Sequence, residues 1–99
     1  MKTKFVHVRP VDSSGKVLGN GGITVAFETD DSGYVQRSAA AICHPRDNFS
    51  RYMGRVKASG RLNSAKWRVD YMDVTVHEKD FIKNLRENGL EEFQNSSVL

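Results

Sequence analysis

The apolar residues of this chain change period once, and that change narrows its fold more than any other feature. In residues 23–29, ITVAFET, Ile23, Val25 and Phe27 alternate with Thr24, Ala26 and Glu28, the period-two pattern of a half-buried strand. In residues 47–60, Phe49, Tyr52, Met53, Val56 and Gly60 instead fall within about 100° of arc on a helical wheel, one apolar face of an amphipathic helix. A chain that makes this switch in 99 residues folds as one small α+β domain, with room for a modest core.

The flanking segments fill in the order. TKFVHVR (residues 3–9) is rich in β-branched and aromatic types and reads as a strand closed by Pro10. DSSGKVLGNGG connects it to the second strand as a long hairpin loop, and DDSG makes a tight turn into a third strand, YVQRSAAAIC. Asp47 is the predicted N-cap of the helix, Gly60 its stop, and Leu62 the residue folding back on the last turn. KWRVDYMDVTV returns to alternation, with Trp67, Val69 and Tyr71 on one face and a bulge near Asp73. Thr75 and Glu78 have capping-box spacing before a helix whose Phe81, Ile82 and Leu85 form a stripe and whose stop is Asn88-Gly89. The expectation is a four-stranded, mainly antiparallel sheet with two helices in the order βββαβα, forming a single pair of layers. Residues 1–93 make the domain, and 94–99 a flexible C-terminal tail. Phe49, Met53 and Val56 are expected in the core against Val25 or Phe27, or Val69 or Tyr71, so that Val56→Asp would unfold the domain.

Charge is uneven along the chain. Residues 1–45 carry a net +1, residues 46–68 a net +6 and residues 69–99 a net −4. The middle segment owes this to Arg46, Arg51, Arg55, Lys57, Arg61, Lys66 and Arg68 against Asp47 alone. Such a block either neutralises the acidic end within the fold or faces an anionic partner, a nucleic acid or the acidic surface of a protein. No run approaches the roughly 18 apolar residues of a membrane span, and the N-terminus lacks a secretory core. The lone Cys43 fits a reducing cytoplasm.

Catalytic motifs are weak. Cys43 and His44 are adjacent, so on a strand they point to opposite faces. A zinc set of Cys43, His7, His77 and Asp73 has no closely spaced ligand pair, and GNGG lacks the helix that phosphate cradling needs. The chain reads as a non-enzyme without metal or cofactor, and Cys43 as a small buried residue. The informative strip lies on the basic helix, where Ser50, Gly54 and Ala58 recur every four residues. Glycine inside a helix costs roughly 1 kcal/mol against alanine, so Gly54 implies close approach to the helix backbone. Either the C-terminal helix presses Phe81, Ile82 and Leu85 there, or a partner does, clamped by Arg46, Arg51, Arg55, Lys57 and Arg61. The candidate partner-binding residues are therefore Arg46, Ser50, Arg51, Gly54, Arg55, Lys57, Ala58 and Arg61.

Cys43, Pro45, Asp47 and Phe49, followed by Gly54-Arg55 and Gly60-Arg61, resemble a pattern in small uncharacterised proteins of tailed bacteriophages; the similarity spans residues 43–62. It implies expression in a host bacterial cytoplasm and a role as a stoichiometric inhibitor or modulator of a host protein, a nucleic-acid enzyme or a defence system. A direct DNA- or RNA-binding protein is the alternative. Placing Phe49 and Tyr52 in the core removes the stacking platforms that this alternative needs.

Overall fold

The computed structural model describes residues 2–71 and 75–97. Its elements are β1 (Lys2–Val8), β2 (Asn20–Thr29), β3 (Val35–Asn48), α1 (Arg51–Leu62), β4 (Val69–Asp70) and α2 (Glu78–Ser97). The order βββαβα and the α+β class are those expected. All four strands form one antiparallel sheet in the order β1-β2-β3-β4.

Strand alternation gives the sheet two unlike faces. Val6, Val8, Ile23, Val25, Phe27 and Val35 lie on one, where Phe81, Ile82 and Leu85 of α2 cover them. Phe27 and Phe81 stack with ring centroids 5.0 Å apart, and Lys4 donates to the Glu78 carboxylate where α2 begins. The other face is built from Ala26, Ala39 and Ala41, with Ala58 and Leu62 of α1 against them and Phe5 at the side. The helices thus sandwich the sheet in three layers rather than forming the expected single pair. Both faces are apolar enough to need a cover, and each helix supplies one.

α1 sits the other way round from the sequence expectation. Gly54, Ala58 and Leu62, each one turn apart, face the sheet; Ala58 is 0% exposed. A Cβ at Gly54 would overlap the Thr24 hydroxyl and stand 2.9 Å from the Thr24 Cβ. Tyr52, Met53 and Val56 point outward, at 66%, 46% and 51% exposure. The expectation that Phe49, Met53 and Val56 form the core is overturned, and only Phe49 is half-buried. The cause is the run Ser38-Ala39-Ala40-Ala41. Ala39 and Ala41 give α1 a nearly flat floor, on which only small residues allow the backbone to settle close enough to exclude water.

Element boundaries shift for local reasons. β3 continues through His44-Pro45, and residues 44–47 stand opposite Gly21 alone, between the Gly22–Cys43 and Asn20–Asn48 pairs. This bulge pushes Arg46 and Asp47 outward. Ser50, not Asp47, is the N-cap: its Oγ accepts from the Met53 N–H at 3.2 Å. α1 runs past Gly60 to Leu62, which is buried under the alanine face instead of folding back on the helix, and Asn63 caps it. The fourth strand shrinks to Val69–Asp70, leaving Trp67 in a turn at 56% exposure. α2 passes through Asn88-Gly89 to Ser97, because the helix formers around Gly89 outweigh its cost, so residues 94–97 continue the helix rather than beginning a tail. The bulge expected near Asp73 lies outside the described residues.

Candidate functional site

With its small residues inward, α1 presents three surfaces. The central one is the row Tyr52, Met53 and Val56, with Arg55 beside it; all four are exposed. On the β3 side, a cleft of about 180 Å³ is lined by Cys43, His44, Asp47, Ser50, Met53 and Lys57, among others. The Cys43 thiol, half-buried, is 3.5 to 3.7 Å from the carbonyl oxygens of His44, Asp47 and Asn48.

On the β1 side, cations gather. His7 projects from β1 onto the α1 face, where its Nδ1 is 2.8 Å from the Thr24 Oγ1, directly beneath Gly54. The Phe49 ring meets the His7 ring edge-on at 5.6 Å, and the Arg9 guanidinium lies 4.8 Å from the centroid of the same ring. Phe49 fills the space that a Cβ on Gly22 would take, and Gly22 has the positive φ of 121° that places β2 there. Burial pushes the His7 imidazole below its ordinary value, and the charges of Arg51, Arg55 and Arg9 push it further. Among the described residues, Arg9, Arg51 and Arg55 have no carboxylate within ion-pair distance. Arg9 donates from Nη2 to the Leu18 carbonyl at 2.9 Å, while its Nε is buried without a partner.

The residues singled out in the sequence separate into three groups. Arg46, Arg51, Arg55 and Lys57 are exposed. Ser50 is occupied as the helix cap. Gly54 and Ala58 face the sheet, Ala58 fully buried and Gly54 half-buried over Thr24 at the edge of the cleft. Arg61 is not a free fringe residue either: its Nη1 donates to the Ala40 carbonyl at 2.9 Å and its guanidinium lies over Trp67 at 5.3 Å. The close approach that Gly54 implies is real, but the approaching group is Thr24 of β2. Arg9 escaped the sequence reading, and His7 entered it only as a metal-ligand candidate, because both lie far from α1 in the chain; Tyr52, Met53 and Val56 escaped it because their spacing mimics a buried stripe. The alanines at 39 and 41 were the available signal, since a small-residue strip matches a small-residue strand.

Among the described residues, no three His, Cys, Asp or Glu side chains gather as a metal site. His77 packs against Tyr34 at 5.3 Å, beside the 30–33 turn, and is not brought to His7 or Cys43. No helix among the described residues is long and apolar enough to cross a membrane. No protein-family model, curated protein or solved structure matches the chain.

Proposed function

We propose that this is a non-catalytic binding protein that docks a partner protein through the outward face of α1. The observation carrying this reading is the exposed row Tyr52, Met53 and Val56 on an ordered helix, fringed by Arg51, Arg55 and Lys57. Exposed apolar side chains in a cluster are what a water-excluding anchor needs, and Tyr, Met and Arg are enriched at such contacts. The basic fringe selects a partner whose rim is acidic and speeds its encounter. The partner's identity as a host nucleic-acid enzyme or defence protein, and the bacterial cytoplasm as the place of action, rest on the tailed-phage resemblance of residues 43–62 alone.

Direct DNA or RNA binding is the second reading, and one finding favours it. Tyr52 is available for stacking after all, and Trp67 lies exposed between Arg61 and Lys66, each 5.3 Å from its ring. Capture from a nuclease-treated bacterial lysate separates the two. The wild-type protein is expected to retain a defined protein partner, and Val56→Asp to lose it while melting like the wild type. Capture that disappears with nuclease, or that survives Val56→Asp unchanged, would overturn docking through this face.

A further inference from the structure

The cation cluster on the β1 side of α1 calls for its own explanation, because a fringe around the apolar row accounts for Arg51 and Arg55 but not for His7 and Arg9 beside them. Four side chains able to carry positive charge come together from separate parts of the chain: His7 of β1 lies on Thr24 beneath Gly54, Arg9 just beyond β1 shares the Phe49 ring with it, and Arg51 and Arg55 flank Gly54 on α1. Arg51 and Arg55 are one turn apart, about 6 Å along the axis, so their two forks can grip one ligand from neighbouring levels. Thr24 holds His7 by one ring nitrogen, leaving Nε2 as the other hydrogen-bonding atom. Phe49 is the shared apolar support, touching both the His7 ring and the Arg9 guanidinium. The carboxylate of β2 on this face, Glu28, is four residues from Thr24, about 13 Å along an extended strand. Like charges gathered without a counter-ion repel one another, and a bound anion relieves that repulsion.

We propose that His7, Arg9, Arg51 and Arg55 form a binding site for a phosphate monoester, a dianionic group held by the two α1 guanidinium forks over the His7–Phe49 floor. The pair of consecutive forks suits a tetrahedral oxyanion with several acceptor oxygens, and the absence of a carboxylate among the described groups around His7 suits a double negative charge. The site shares Arg51 and Arg55 with the basic fringe of the outward face but uses none of Tyr52, Met53 and Val56, so it stands whether or not that apolar row docks a protein.

The test is titration of the full chain with inorganic phosphate, methyl phosphate and dimethyl phosphate, against sodium chloride at matched ionic strength. The readouts are thermal unfolding and the NMR signals of the His7 ring and the arginine side chains. Inorganic and methyl phosphate are expected to raise the melting temperature and shift the His7 signals, as ligands of the folded state do. Dimethyl phosphate, with one charge, should bind about tenfold more weakly. Arg51→Ala with Arg55→Ala removes two exposed side chains and should cost about a hundredfold in affinity with the fold retained. Lys79→Ala with Lys83→Ala, on exposed positions of α2, removes the same charge and should change binding little. A response no greater than that to chloride, equal affinity for the monoester and the diester, or equal losses in the two double variants would each overturn the proposal. Equal affinity would point instead to the diester backbone of a nucleic acid.

Discussion

The two faces of the same sheet are packed by opposite means. Under α2, branched and aromatic side chains interlock, with Phe27, Ile23, Val25 and Val35 almost wholly removed from water. Under α1, alanines meet a glycine and an alanine, and the helix backbone itself approaches the sheet. The first face gains stability from large apolar side chains leaving water; the second from close contact over small ones. The difference has a functional consequence. A helix seated on small residues keeps its large ones on the outside, and that is why Tyr52, Met53 and Val56 are free for a partner.

Substitutions break this comparison at different strengths. Phe27→Ala deletes the most buried aromatic of the large-residue face and should cost about 3–5 kcal/mol in urea unfolding. Loss of less than 1 kcal/mol would mean that face is not the main core. Gly54→Ala tests the other face by adding one methyl. Helix propensity alone favours it by about 1 kcal/mol, whereas overpacking against Thr24 costs about 1–3 kcal/mol. The expected net result is destabilisation, with the His7–Thr24 contact disturbed; stabilisation would show that α1 can lift off the alanine floor without penalty. Val56→Asp, which the sequence alone marks as unfolding, should shift stability by no more than about 0.5 kcal/mol, because the side chain is already in water.

The smallest effect is on pH dependence. His7 titrates below its ordinary value of about 6.5 in the folded protein, so the unfolded chain binds more protons in the interval between the two values. Stability therefore falls as pH drops through that interval, is complete above about 6.5, and levels off below the folded value. Asp12 and Glu78 are also held below their ordinary values, the first by the Ser14 hydroxyl and the second by Lys4, and their contributions are lost only at lower, carboxylate pH. Thermal melts from pH 7.5 to 5 should show a decline that His7→Gln flattens. A decline of equal slope in that variant would assign it to other groups.

The sequence by itself determined the α+β class, the βββαβα order, the hairpin and turn positions and the basic character of the central helix. These follow from local rules: alternation, turn chemistry and charge are carried by residues close together in the chain. It also determined that something must lie close to Gly54. Tertiary structure alone decided that this something is Thr24, that the helices cover opposite faces, and that His7 and Arg9 stand beside Arg51 and Arg55. A helical wheel shows which residues share a side but not which side meets the sheet. That choice belongs to the facing surface, and here the alanines of β3 admitted the small side and turned the large one outward.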